Sequence, residues 1–141
     1  LRDRALASLR LVGGRELAAQ RIHGDCHLGQ VLLSEGQWRY VDFEGEPLKS
    51  LDERREPDSP LRDVAGMLRS FDYAAAEGEA DQSWLDACRR AFLRGYGLDP
   101  SADDAVLTAY EVDKAAYETV YEARYRPHLL RVPLTRLASL R

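Results

Sequence analysis

The chain has 141 residues, 45% apolar and 31% charged, which is the length of one domain and the balance of a globular protein with a core to bury. Its 20 basic and 24 acidic residues leave a net charge of −4 without a basic block, which argues against nucleic acid or anionic membrane as a partner. No apolar run reaches the ~20 residues of a bilayer span, and two cysteines, Cys26 and Cys88, are too few for a disulfide framework, so free thiols in a reducing cytoplasm are expected.

Residues 2–12 carry Leu6, Leu9 and Val12 on one helical face, stopped by Gly13-Gly14. A chain that opens on Leu1 in a helical pattern is expected to be a piece of a longer polypeptide. Arg21-Ile22-His23 reads as a short strand, and Gln30–Ser34 and Gln37–Asp42 read as two strands turned at Glu35-Gly36, a hairpin. Lys49 to Pro60 is polar, charged and proline-bearing, which predicts a loop. Helical spacing then takes over. Leu61, Val64, Ala65, Leu68, Phe71 and Ala75 share a face, with Ser59 or Asp58 placed to cap it. Trp84, Ala87, Cys88, Ala91, Phe92 and Tyr96 mark a second helix ended by Gly95 and Gly97, with Trp84, Phe92 and Tyr96 expected in the core. A third opens at Pro100-Ser101, carries Val106, Tyr110, Asp113, Tyr117, Val120 and Tyr121, and is ended by Pro127 and Pro133. A short closing helix is expected from Pro133 to Leu140. The sum is an α+β chain, mainly α, with one hairpin.

The chemistry concentrates in His23-Gly-Asp25-Cys-His27-Leu-Gly-Gln30 and Asp42-Phe-Glu44-Gly-Glu-Pro47. Transfer of the terminal phosphate of ATP needs one acid to orient and accept the proton of the attacking hydroxyl. It also needs an amide oxygen and a second acid to hold the magnesium that bridges the phosphates. The hairpin turn brings Asp42 back beside Gln30, the arrangement such a metal requires. Asp25 is then left for the acceptor hydroxyl. The chain has no glycine-rich phosphate loop, and neither of its lysines, Lys49 and Lys114, sits in a strand able to reach the α- and β-phosphates.

These two segments resemble the catalytic and metal-binding motifs of maltokinases, in the aminoglycoside-phosphotransferase branch of the protein-kinase-like fold. Leu51 to Phe71 is similar to the next block of that family, and Tyr117-Glu-Thr-Val-Tyr-Glu-Ala-Arg-Tyr-Arg-Pro127 to its tail. The resemblance implies a kinase-like C-terminal lobe over residues 1–141, whose missing N-terminal lobe would carry most of the ATP grip. It implies ATP-dependent conversion of maltose to maltose 1-phosphate, with Asp25 as base toward the anomeric hydroxyl, Gln30 and Asp42 on Mg2+, and Glu44 near a second ion. Leu32 would line the adenine pocket, while His27, Tyr117, Glu118, Tyr121 and Arg126 would bind the sugar. Such modules also resemble ones fused to trehalose synthases, which suggests carbohydrate metabolism around trehalose and glycogen. The 141-residue piece alone is expected to be inactive.

Other readings of the same residues stand beside this one. Tyr117 and Tyr121, one turn apart, also fit a core face. His23 is expected to shape its loop by hydrogen bonding, Cys26 to pack inward as a small apolar group, and Asp63 to cap a helix start or brace the catalytic loop. His23-x-Asp25-x-His27 on an extended segment would suit a metallohydrolase. A non-catalytic, stabilising module attached to another enzyme is the third possibility.

Overall fold

The computed structural model describes residues 10, 13, 16–45, 50–102 and 104–139. Nearly all of the helix expected over residues 2–12, and Lys49, lie outside them. Strands β1 (Val31–Ser34) and β2 (Gln37–Tyr40) form an antiparallel hairpin, pairing Val31 with Tyr40 and Ser34 with Gln37. Glu35 and Gly36 both take positive φ, 52° and 75°, the two-residue turn whose twist suits a hairpin. The remaining elements are helical: α1 (Leu51–Arg55), α2 (Leu61–Glu77), α3 (Gln82–Tyr96), α4 (Ala105–Tyr125) and α5 (Arg131–Ala138).

Helix α2 packs against α3, α4 and α5. Val64, Ala65 and Leu68 of α2 meet Leu107 of α4, with Leu61, Phe92 and Tyr110 closing over them. A second cluster, Val112, Ala115 and Leu137, joins α4 to α5. Each large aliphatic side chain so buried contributes about 1.5–3 kcal/mol, so the two clusters fix how α2 and α4 lie together.

The strand expected at Arg21–His23 is a single antiparallel bridge one residue earlier. Gln20 and Asp58 exchange backbone hydrogen bonds of 3.0 Å, and the chain then leaves to form the polar loop. The loop expected over Lys49–Pro60 contains α1, because Ser50 and Glu53 form a reciprocal capping box that nucleates one and a half turns. Helix α3 starts on the Asp81 cap and ends at Gly97 (φ 91°), with Gly95 inside it. Trp84 and Tyr96 are exposed, contrary to expectation, since α3 covers only one side of α2 and they fall on its outer flank. Helix α4 begins after Pro100-Ser101, where the Asp104 carboxylate accepts from the N–H groups of Val106 and Leu107. A 3₁₀ turn at Pro127–Leu129 separates α4 from α5, and Pro133 falls within the first turn of α5, where its missing N–H costs nothing.

Asp58 ties the bridge to the core. Its carboxylate accepts from the Ser59 N–H (2.7 Å), Arg62 Nε (2.5 Å) and the Tyr110 hydroxyl (3.0 Å). Burial opposes its ionisation, but these hydrogen bonds outweigh burial and hold the carboxyl below its ordinary range. Its contribution to stability is therefore complete above the ordinary carboxylate pKa, about 4, and is lost as pH falls through the depressed folded value. Unfolding midpoints of the wild type and Asp58→Asn should differ at neutral pH and converge on acidification. A difference independent of pH would remove the ionised carboxylate from the account.

Candidate active site

The polar loop is held from two sides. From α2, the Asp63 carboxylate accepts the N–H of His23 (2.7 Å) and of Gly24 (2.9 Å), two charge-assisted bonds. Ser70 Oγ accepts the N–H of Leu28 (3.1 Å). From the hairpin exit, the Val41 carbonyl receives His23 Nε2 at 2.8 Å, and Phe43 lies against the imidazole with centroids 4.8 Å apart. Asp63 therefore braces the loop, and His23 shapes it, as the sequence suggested.

Gly66 allows the closest of these approaches. A Cβ built there would overlap the carbonyl oxygen of Cys26. The Cys26 side chain is buried, and desolvation, reinforced by the charge of Asp63, pushes its thiol up to about 12. It stays protonated and packs as a small apolar group.

Asp25 projects from this loop, half-buried. His27 Nε2 lies 3.9 Å from its Oδ2, while His27 Nδ1 accepts the Gly29 N–H at 3.1 Å. At the loop's end, Gln30 and Asp42 meet across the base of the hairpin. Gln30 Nε2 donates to Asp42 Oδ2 at 2.8 Å, and Gln30 O accepts the Val41 N–H. Asp42 takes a positive φ of 62°, a conformation that turns its carboxylate out of the strand path. Glu44 follows, exposed, on the same loop, and Leu32 is exposed on β1.

The metallohydrolase arrangement is not formed. His23 has one nitrogen on the Val41 carbonyl and the other accepting the Asp25 N–H at 3.4 Å, so neither is turned toward a shared ion. Among the described residues no group of three His, Cys, Asp or Glu side chains is placed to hold a metal.

A cavity of about 780 Å3 opens between the loop, α2 and α4. Asp25 and His27 line it from the loop, and Tyr117, Glu118, Tyr121 and Arg126 from the opposite wall, so the expected base and the expected sugar residues share one space. Gln30, Asp42, Glu44 and Leu32 do not line it. Two wall residues are committed to ion pairs. Glu118 Oε2 accepts Arg69 Nε (3.0 Å) and Nη2 (2.6 Å), and Arg126 is paired through Nη2 (2.6 Å) with Glu122. Burial raises the Glu118 carboxyl above its ordinary range despite Arg69. Burial, with Glu118 and Glu122 nearby, also raises the Tyr73 hydroxyl, which donates to Glu122 at 3.0 Å. The Arg126 guanidinium lies over the rings of Tyr73 and Tyr121.

Several residues of this wall escaped the sequence reading. Lys114, considered there only for nucleotide phosphates, lines the cavity with its stem against Gly66, and among the described residues it has no ion-pair partner. Arg69 is 1% exposed and pairs with Asp72 as well as Glu118. The available signal was a charged residue set on the apolar stripe of α2, next to Leu68.

No protein-family model matches the chain. It is similar to the glucosamine kinase of Streptacidiphilus jiangxiensis, 30% identical over 135 residues, which cover 84% of this chain and 31% of that protein. It is also similar to the glucosamine kinase of Mycolicibacterium smegmatis (strain ATCC 700084 / mc(2)155), 32% identical over 133 residues, 84% of this chain and 33% of that protein. The chain thus spans about a third of the length of these curated relatives. A solved glucosamine kinase in complex with glucosamine, ADP and inorganic phosphate superposes with a TM-score of 0.72 at 24% identity, over 99% of this chain and 42% of that one. A second crystal form gives 0.71, over 99% and 44%. The fold is shared. It matches under half of each of those solved chains.

The loop geometry leads to a direct test. Gly66→Ala should drive the polar loop off α2 and lower stability by roughly 1–3 kcal/mol, with a lower Tm. An unchanged Tm would mean that the loop does not rest on the helix there.

Proposed function

We propose that this chain is the acceptor-binding and base-bearing part of an ATP-dependent sugar kinase. The observation that carries this reading is Asp25 facing the tyrosine-lined wall of α4 across one cavity, with the Gln30–Asp42 pair at the other end of its loop. The similarity to glucosamine kinases supports it. In this reading Asp25 accepts the proton of a sugar hydroxyl as the hydroxyl oxygen bonds to the terminal phosphorus of ATP and ADP departs. His27 flanks the base, while Asp63 and Gly66 act only by positioning the loop.

An amide and a carboxylate side by side are hard oxygen donors of the kind magnesium takes, and the adjacent pair at 2.8 Å fits that use. Gln30 and Asp42 would hold the ion, with Glu44 near a second. When bound, magnesium neutralises phosphate charge and fixes the phosphates in place. The rest of the nucleotide grip, and an adenine pocket walled partly by Leu32, would be completed by a further lobe of the same polypeptide. A trehalose synthase as fused partner remains part of the proposal through the maltokinase resemblance alone.

For the acceptor we place maltose first, with maltose 1-phosphate as product. Glucosamine, the sugar named for the relatives, is second. The maltokinase resemblance sets this order, and Lys114, which lines the cavity together with Asp25, Glu77 and Glu118, is the like charge that a protonated amino sugar would meet there. At neutral pH the intact polypeptide should therefore prefer maltose in kcat/KM. Lys114→Gln should narrow the preference by roughly tenfold, the scale of one screened like-charge contact. Glucosamine as the better substrate of the wild type would reverse the order.

Asp25→Asn tests the base. It keeps size and removes the proton acceptor, so ADP release in the presence of sugar should fall ~10²-fold or more while the unfolding midpoint stays close to wild type. Normal turnover by that variant would remove Asp25 from the mechanism.

A further inference from the structure

Helix α4 carries tyrosines at three successive turns, Tyr117, Tyr121 and Tyr125. Their rings form a continuous ladder: Tyr117 and Tyr121 stack with centroids 6.4 Å apart at 23°, and Tyr121 and Tyr125 lie 4.9 Å apart at 44°. The first two line the cavity that holds Asp25, and the third lies beyond its wall. All three are open to solvent, at 47%, 40% and 68% exposure, and Tyr125 at the outer end is the most open. The ladder is also held in place. Arg126, paired with the buried Glu122, caps the Tyr121 ring with its guanidinium 5.5 Å from the centroid, and Tyr73 supports the same guanidinium from α2.

We propose that the acceptor site continues out of the cavity along this ladder, with Tyr125 as the platform for a sugar ring remote from the one phosphorylated. The acceptor class is then a linear oligosaccharide of neutral hexoses, extending to three rings. Three observations carry this. The cavity, at about 780 Å3, lies toward the upper end of pockets that enclose drug-sized ligands and leaves room beyond a single hexose. The aromatic surface runs unbroken from the cavity to the helix end. Tyrosine offers the C–H face of a pyranose a negatively polarised ring at little entropic cost, with a hydroxyl for its rim. The outer face of Tyr125, touched within the ladder only by Tyr121 at a tilt, is the face of the ladder left open.

The inference rests on reading the cavity as the acceptor site, so binding and turnover are measured separately. Calorimetric titration of the intact polypeptide with glucose, maltose and maltotriose should show affinity still rising from maltose to maltotriose. Tyr125→Ala should abolish that last increment, a loss of roughly two- to tenfold for maltotriose, and leave glucose binding unchanged. Tyr125→Trp should retain it. Equal wild-type affinity for maltose and maltotriose would overturn the proposal, as would an equal loss for all three sugars in Tyr125→Ala, which would mark the residue as a contact to other protein. If the length dependence is found but no phosphoryl transfer from ATP accompanies it, the kinase reading fails and the extended site stands. If transfer is found without length dependence, the kinase reading stands and the extended site fails.

Discussion

The candidate site depends on one carboxylate that does no chemistry. Asp63 sits in the first turn of α2, and both of its oxygens face the polar loop, one receiving the His23 N–H and the other the Gly24 N–H. Two backbone donors that would otherwise be orphaned in a tight turn are satisfied by a charged acceptor, which is stronger than a neutral one. The anchor is itself rigid because α2 is the helix around which the others pack, with Val64 and Ala65 buried beside Asp63. Gly66, one turn along, removes the side chain that would hold the loop away. Asp25 thus projects from a loop attached to a helix packed on three others, as the proposed role of meeting a hydroxyl at hydrogen-bond distance requires.

The opposite wall is organised by charge. Arg69 joins Asp72 to Glu118; Arg89 joins Asp72 to Glu111; Glu111 also meets Arg136 of α5. Burying this many ions costs desolvation that their mutual attraction barely offsets, so the network is a weak source of net stability. Its consequence is geometric. Glu118, Glu111 and Glu122 all lie on α4, and their partners on α2, α3 and α5 or at the end of α4 itself fix the rotation of α4 about its axis. That rotation decides whether Tyr117 and Tyr121 face the cavity or the solvent. Asp25 and Lys114, which also face the cavity, stand outside these pairings, and to them the proposed reaction assigns work.

How much of this was legible in the sequence follows from the range of the forces involved. The hairpin was readable because Glu35-Gly36 specifies its turn locally, and the helices because apolar residues recur at helical spacing. The shared cavity was foreshadowed only by treating Asp25 and the Tyr117–Arg126 segment as parts of one motif set. Local signals could also be overridden. Ser50 and Glu53 form a capping box, yet the surrounding charges and prolines read as loop. Trp84 and Tyr96 fall on an amphipathic pattern, but α3 is an outer helix that packs chiefly on α2, so its apolar flank is wider than its contact. Arg69 was legible only as a charge set on an apolar stripe, because its partner Glu118 lies 49 residues along the chain and no periodicity encodes such a pairing.

The two sides of Asp25 are built differently, and the difference bears on the proposed reaction. Toward α4 the site is walled by aromatic rings and paired ions. Toward the hairpin it is open. Leu32, Leu33, Trp38 and Phe43 are all exposed, and the Gln30–Asp42 pair lies among them near the surface. Transfer between a sugar and a nucleotide requires both to be held at once, and water excluded from the space between them. In the proposed reaction, the α4 side would select the acceptor and orient its hydroxyl, while the nucleotide would be held on the hairpin side. In the proposed enzyme, acceptor specificity therefore resides in α2 and α4. Commitment to transfer depends on whatever covers the hairpin, and the two properties should be separable by mutation on either side of Asp25.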